Sequence, residues 1–199
     1  MGEGSLERGE FMSLRLFFVR HGQSVANLSE RFYDDANAEL TMYGKGQAMD
    51  VGVKLKEMNV GFTAIYCSPY LRAMDTCAIA LESAEMKDRK VIYDDRLVER
   101  QYDGIFDKDI THDQYVELYN YDSNLSEEMG VETLDHLEAR ARSFIEELRA
   151  KYIVGNILVF SHGIFGLAVY TVINGRPNSA SMYDLRLLKN CEIKVFDLK

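Results

Sequence analysis

Four short apolar runs, each ending abruptly at polar residues, indicate strands buried inside a sheet. Runs of this kind, with little alternation between apolar and polar positions, are typical of parallel strands that are covered on both faces. They are separated by stretches long enough to hold a helix, so each consecutive pair can be joined by a crossover connection. The four predicted strands are residues 14–19, 64–67, 91–93 and 156–160.

The segments between these runs repeat apolar residues at helical spacing and predict helices. Thr41 and Thr133 are expected to cap two of them. Ser68 is expected to cap a third, which has a proline in its first turn and runs to about Ser83. A further apolar helix follows the fourth strand and continues to about Ile173. Alternating strands and helices favour an α/β fold of three layers, with a mostly parallel central sheet and helices on both faces.

Three stretches fall outside this alternation. The polar segment 100–130 is predicted to be a small cap insertion, whose tyrosines could face a substrate or pack onto their own domain. Residues 184–188 and 192–196 are expected to form two final strands in hairpin order. Residues 1–12 are polar and glycine-bearing and are expected to be a disordered leader or a cloning remnant. A single domain is therefore predicted over residues 13–199.

Composition limits the classes of function. The 199 residues include 23 Lys and Arg against 32 Asp and Glu, a formal charge of -9, which argues against nucleic acid as a partner. No apolar run reaches the roughly 18 residues of a membrane span, and a cytoplasmic protein without membrane association is expected. The three cysteines show no CxxC spacing and indicate reduced thiols rather than a disulfide or zinc framework. Composition leaves a monomer and a homodimer equally open.

Residues suited to phosphate chemistry follow the predicted strands. Arg20 and His21 follow the first strand, Arg72 lies in the first turn of the helix after the second, Glu99 follows the third and His162 the fourth. Carboxyl ends of parallel strands meet at one edge of a sheet, where ligands bind. Arginine offers a charged donor fork for phosphate oxygens, and histidine can act as nucleophile or donor. The set predicts phosphoryl transfer without a metal, since the sequence contains neither HExxH nor HxH.

Five motifs contain or adjoin these residues, within residues 14–163. They are Arg20-His21-Gly22-Gln23-Ser24 with Asn27, LTMYGKGQA at 40–48, SPYLRAMDT at 68–76, LVERQYDG at 97–104 and Ser161-His162-Gly163. In this order they resemble the motifs of the histidine phosphatase superfamily, which includes the cofactor-dependent phosphoglycerate mutases. The resemblance implies a phosphoglycerate mutase-like fold.

The resemblance also implies a role for each site residue. His21 would be the nucleophile that takes up the phosphoryl group, and Glu99 the general acid and later the base. The phosphoryl oxygens would be held by Arg20, Arg72 and His162, with Gln23, Asn27 and Gly163 in the same phosphate pocket. Gln23 and Asn27 could instead only brace the loop.

The family contains phosphatases and mutases, and two features of the chain favour the phosphatase. Similarity to the mutases weakens beyond Gly104, and residues 130–133 look like the phosphatase branch's helix start. A metal-independent phosphomonoesterase acting on a small phosphorylated metabolite, with no cofactor, is therefore expected. The alternatives are a mutase, which would need 2,3-bisphosphoglycerate, and a phosphate-binding signalling module without turnover. Arg31 and Arg100 could reach a second anionic group or remain solvated.

Overall fold

The computed structural model describes residues 13–28, 36–105 and 108–198, so the predicted leader and Arg31 lie outside the described residues. Its centre is a sheet of five strands in the order β3-β2-β4-β1-β5. The first four in that order run parallel, and β5 pairs antiparallel with β1. The predicted α/β fold with a mostly parallel sheet is confirmed. The strands are β1 (Leu14–Arg20), β2 (Ala64–Cys67), β3 (Val91–Tyr93), β4 (Gly155–Ser161) and β5 (Ile193–Asp197).

Helices cover both faces of this sheet, and two of the expected caps are confirmed. The Thr41 side chain accepts from the Gly44 amide, and the Thr133 side chain accepts from the His136 amide. No helix among the described residues is long and apolar enough to cross a membrane. The helices are α1 (Met42–Glu57), α2 (Leu71–Ser83), α3 (His112–Glu117), α4 (Leu125–Glu128), α5 (Leu134–Lys151) and α6 (Gly163–Asn174).

Strand β1 shows how the chain builds a core on each side. Leu16 and Phe18 pack on the face covered by α5 and α6. Phe17 and Val19 pack on the opposite face with residues of α1 and α2. Successive side chains of a strand point to opposite faces, so one uninterrupted apolar run supplies both cores.

The insertion at residues 100–130 packs onto its own domain. Its tyrosines were expected either to face a substrate or to pack onto the domain, and the second expectation agrees with the structure. Leu118 and Tyr119 are buried in the core shared with α5 and α6. The hydroxyls of Tyr102 and Tyr119 lie 2.9 Å apart, and the Tyr121 hydroxyl donates to Glu138 on α5. Two short helices, α3 and α4, complete this segment.

Two local predictions are wrong. Residues 184–188 form no strand: the chain leaves a 3-10 turn at Met182–Asp184 as irregular structure, and β5 alone occupies the outer edge of β1. Segment 184–188 contributes to packing instead. Leu188 is buried, and its backbone carbonyl accepts a hydrogen bond from Arg20. Ser68 does not cap α2, because Tyr70 is the residue at the N-cap.

Candidate active site

The strand register brings the predicted site residues to one edge of the sheet. Arg20, the last residue of β1, pairs with Ser161 of β4, so His21 and His162 follow at the same level. Their ring centres are 5.1 Å apart, and both side chains are almost completely buried. Arg72, in the first turn of α2, donates from Nε to His21 Nε2 at 3.3 Å. A histidine pair with an arginine beside it thus forms the centre of the site.

The hydrogen bonds of His21 determine which of its nitrogens carries the proton. Nδ1 lies 2.7 Å from the carbonyl oxygen of Gly22. A carbonyl can only accept, so Nδ1 is protonated and Nε2 presents a lone pair. Burial, and then Arg72 and Arg20, hold the pKa of His21 well below its usual range. His21 is therefore neutral at neutral pH, and its unprotonated Nε2 accepts a hydrogen bond from Arg72 Nε.

The second histidine is held by Ser68. Ser68 Oγ accepts from the Tyr70 amide at 3.3 Å and lies 2.8 Å from His162 Nε2. Either atom can donate in this hydrogen bond; in the tautomer in which the Ser68 hydroxyl donates to Nε2, the imidazole proton lies on Nδ1. Nδ1 is buried and has no hydrogen-bond partner. Burial and the neighbouring Arg72 and His21 lower the pKa of His162 well below its usual range, so both histidines are neutral at neutral pH.

Arg20 carries the second buried atom without a partner in the site. Its Nη1 donates to the Leu188 carbonyl at 2.5 Å, whereas Nε has no partner. A β-carbon added at Gly163 would lie 3.1 Å from this Nε and 2.9 Å from Leu187 Cδ1, so glycine lets the guanidinium lie against the start of α6. An unpaired buried polar group costs about 1–3 kcal/mol, and such groups usually mark a ligand position. Two of them beside His21 suit an anion.

Glu99 lies at the N-terminus of α6. Its carboxylate accepts from the amides of Arg100 at 3.0 Å, Ile164 at 3.1 Å and Phe165 at 2.9 Å. Burial lowers the pKa of Arg20, and the nearby Glu99 carboxylate acts against that shift. Glu99 is therefore held by backbone donors at the rim of the site, close enough to Arg20 for their charges to interact.

The structure places Gln23 and Asn27 in the scaffold of the loop after β1. Gln23 Oε1 accepts from Thr41 Oγ1 at 2.9 Å, which ties the loop to the start of α1. Asn27 Oδ1 accepts from the Ser24 amide at 3.1 Å and from Asn190 Nδ2 at 3.2 Å. Both amide oxygens brace the loop, as the second of the two expectations for these residues states.

Supporting contacts come from two further residues that had no assigned role. Thr76 Oγ1 accepts from the Gly22 amide at 3.0 Å, and Asn190 Nδ2 donates to the His21 carbonyl at 3.0 Å. Thr76 is part of the motif at 68–76, so its position in that motif was a usable signal. Asn190 is 169 residues from His21 in the chain, and no local pattern marks it.

Arg100 is not a surface cation. Its side chain is fully buried, with Nε donating to the Glu132 carbonyl at 2.8 Å and Nη2 to Ser126 Oγ at 2.9 Å. Its guanidinium carbon lies 5.5 Å and 5.3 Å from the ring centres of Tyr102 and Tyr119. Nη1 has no partner but is equally buried. The expectation of a solvated Arg100 is therefore wrong, and its contact with a second anionic group stays a prediction.

Comparison with known proteins places this site in a family. The model of the histidine phosphatase superfamily (branch 1) matches residues 16–199. The chain belongs to this superfamily. A 2,3-bisphosphoglycerate-dependent phosphoglycerate mutase of Mesorhizobium japonicum is 30% identical over 173 residues, which cover 83% of this chain and 84% of that protein. Mutases of Streptococcus gordonii and Lactococcus lactis match over only 41% and 39% of their own length.

Solved structures of the superfamily share the fold. A mycobacterial glucosyl-3-phosphoglycerate phosphatase in complex with VO3 has a TM-score of 0.74 at 22% identity, covering 91% of this chain and 90% of that one. A phosphoglycerate mutase from Bacillus anthracis has a TM-score of 0.73 at 18% identity, covering 94% and 90%. A phosphatase and a mutase therefore match this chain equally well in fold. Within the described ranges, no three His, Cys, Asp or Glu side chains cluster as metal ligands.

Proposed function

We propose that this histidine phosphatase is a metal-independent phosphomonoesterase that hydrolyses a small phosphorylated metabolite through a phosphohistidine at His21. One observation carries the proposal: a neutral His21 has an unprotonated Nε2 that accepts from Arg72 Nε, while the buried Arg20 Nε and His162 Nδ1 have no partner. A phosphoryl group at this point would meet a nucleophile and donors for its oxygens.

In the first step, His21 Nε2 attacks phosphorus and the bond from phosphorus to the ester oxygen breaks. In the proposed role of general acid, Glu99 gives a proton to the departing alkoxide. The positive charge that develops on His21 is stabilised by the Gly22 carbonyl, which accepts from Nδ1 at 2.7 Å. Arg20, Arg72 and His162 donate to the phosphoryl oxygens, where charge is spread in the transition state.

In the second step, water attacks the phosphohistidine and gives its proton to the Glu99 carboxylate. The bond between phosphorus and Nε2 breaks, inorganic phosphate leaves, and His21 returns to its neutral state. Splitting the displacement in two lets one pocket hold the same phosphoryl group throughout. A positioned acid and base of this kind is worth about 10² to 10⁴ in rate.

Hydrolysis is favoured over mutase chemistry because the described residues build one anion cradle. A bisphosphate such as 2,3-bisphosphoglycerate needs a second set of cationic donors, and Arg100, the described candidate for it, is enclosed in the insertion. No mechanistic step is therefore assigned to this cofactor. The net charge of -9 over the whole chain also disfavours extended polyanions and favours compact phosphates.

Mutase activity is the second candidate, because the Mesorhizobium japonicum relative at 30% identity carries that name. The two activities differ only in whether water or a substrate hydroxyl receives the phosphoryl group. A panel of sugar phosphates, phosphoglycerates, nucleotides and phosphotyrosine separates them when each is assayed for free phosphate and for isomerised product, with and without 2,3-bisphosphoglycerate. Free phosphate from a monoester without the bisphosphate supports the phosphatase.

Rapid-quench labelling tests the intermediate directly. A hydrolysable ester labelled in its phosphoryl group should transfer label to the protein in an acid-labile, base-stable form. The variant His21→Ala should neither trap label nor turn over, while His112→Ala, which alters an exposed histidine, should behave as wild type. A wild-type rate in His21→Ala overturns the proposal. Vanadate binding without hydrolysis across the whole panel would instead indicate a phosphate-binding module.

A further inference from the structure

We propose that Arg140 on α5 is a positioning residue for the reaction, which holds Glu99 in place at the start of α6. The hydrogen bonds described for Arg140 go to the Glu99 segment and to Glu132, although its charge also helps to lower the pKa of His162. The inference rests on the proposed role of Glu99 as acid and base. In this inference Arg140 holds two parts of the protein in place. One is the chain segment that carries Glu99, and the other is helix α6, whose first amides bind the Glu99 carboxylate.

The guanidinium of Arg140 binds the segment that leads from β3 to Glu99. Nη1 donates to the carbonyls of Arg96 at 2.6 Å and Val98 at 2.7 Å, and Nη2 donates to the carbonyl of Glu99 itself at 3.0 Å. Three carbonyls within four residues of irregular chain are thus bound by one side chain. No strand or long helix holds this stretch, so the arginine supplies the order that regular structure would otherwise provide.

The same guanidinium also contacts α6. Its central carbon lies 4.9 Å from the ring centre of Phe165, and the Phe165 amide donates to the Glu99 carboxylate at 2.9 Å. Arg140 is therefore in contact with both ends of the interaction that holds the carboxylate. Displacement of either partner would shift Glu99 relative to His162, which immediately precedes α6.

A buried carboxylate keeps Arg140 in this orientation. Nε and Nη2 donate to the two oxygens of Glu132 at 2.8 Å and 2.9 Å, and only 4% of the Glu132 side chain is exposed. Burial acts to raise the pKa of Glu132, but the hydrogen bonds and charge of Arg140, together with hydrogen bonds from His136 and the Gln101 amide, lower it below its usual value. The planar donor fork of arginine matches this set of acceptors, and lysine, with three donors on one atom, could not bind them all.

A second arginine on the same side of the sheet offers a matched control. Arg176 donates to Glu138, whose side chain is 5% exposed, and to Asp135. These bonds go to carboxylates and none goes to the segment of Glu99. Replacing each pair by glutamines removes an ion pair to a buried carboxylate in both cases, but only the change at Arg140 removes the bonds to the Glu99 segment.

The test compares Arg140→Gln/Glu132→Gln with Arg176→Gln/Glu138→Gln, so that neither variant leaves a buried charge unpaired. An alkyl phosphate and 4-nitrophenyl phosphate serve as substrates, because only the alkoxide needs an acid to leave. A misplacement of about 1 Å can cost about 10²-fold in rate. We expect kcat for the alkyl ester to fall at least about tenfold in the Arg140 pair and kcat for the aryl ester less than about threefold, with unchanged vanadate affinity. The Arg176 pair should show no such difference between esters.

Amide hydrogen exchange gives a readout that does not depend on turnover. The amides of Ile164 and Phe165, which donate to Glu99, should exchange faster in the Arg140 pair and at the wild-type rate in the Arg176 pair. Unchanged exchange there, or an equal loss of kcat for both esters, overturns the proposal for Arg140. If Glu99→Gln lowers kcat equally for both esters, the acid role of Glu99 fails instead, and the exchange rates still decide whether Arg140 positions it.

Discussion

The two neutral histidines predict that the protein loses stability on mild acidification. His21 and His162 have pKa values well below the usual 6.5 in the folded protein, mainly because they are buried, whereas both return to ordinary values on unfolding. Below pH 6.5 the unfolded chain therefore binds more protons than the folded one. The free energy of unfolding must then fall as the pH falls.

The magnitude follows from proton linkage. Each histidine that is neutral in the folded protein and titrates at 6.5 in the unfolded chain lowers the free energy of unfolding by about 1.4 kcal/mol when the pH falls from 7.5 to 5.5. The two histidines together lower it by about 2.7 kcal/mol. The pKa values of Asp94 and Glu132 are lowered in the folded protein. Their contribution to the free energy of unfolding is therefore lost only at lower pH, below about 4.5. The histidine effect can therefore be measured in a separate window.

Urea unfolding at pH 7.5, 6.5 and 5.5 measures this effect, in a buffer without phosphate because an anion would bind only the folded state. Between pH 7.5 and 5.5 the free energy of unfolding should fall by about 2.7 kcal/mol more in wild type than in the double variant His21→Asn/His162→Asn. The variant His112→Asn, at an exposed histidine, should follow wild type. Equal pH dependence in wild type and the double variant would refute the protonation states derived for the site.

Three single substitutions test other parts of the site. Gly163→Ala places a β-carbon against Arg20 Nε and should weaken vanadate binding about tenfold or more, as measured by competitive inhibition. Ser68→Ala removes the hydrogen bond to His162 and should lower kcat/KM for every ester, with little change in far-UV circular dichroism. Thr41→Ala removes the cap of α1 and its bond to the loop after β1, and should cost about 1 kcal/mol in urea unfolding with kcat retained.

Much of the fold follows from the sequence because its signals are local. Parallel strands buried on both faces leave uninterrupted apolar runs, and residues 16–19 of β1 and 157–160 of β4 are such runs. Thr41 and Thr133 cap their helices because a threonine side chain reaches the third amide that follows it. The edge where Arg20, His21 and His162 meet follows from parallel order alone, since the carboxyl ends of those strands lie together.

The errors and omissions lie where a residue is used by a distant part of the chain. Ser68 has the sequence context of a helix cap, but its hydroxyl is bound to a histidine 94 residues away. Residues 184–188 alternate like a strand, yet β5 already occupies the free edge of β1. Arg140 occurs in an ordinary amphipathic helix, and only the folded chain shows that three carbonyls near Glu99 converge on it.

The charge state of the site depends on the same long-range packing. Arg20 and Arg72 are required to bind phosphate. Because they also lie close to His21, their charges disfavour a proton on it. The same two permanent cations therefore attract the substrate and keep the nucleophile neutral. A bound phosphate dianion would reverse this field and favour a proton on His162, which then becomes a stronger donor to the phosphoryl oxygens. The histidine that must attack has its Nδ1 proton fixed by Gly22, whereas the Nδ1 of His162 is without a partner, and this difference separates their two roles.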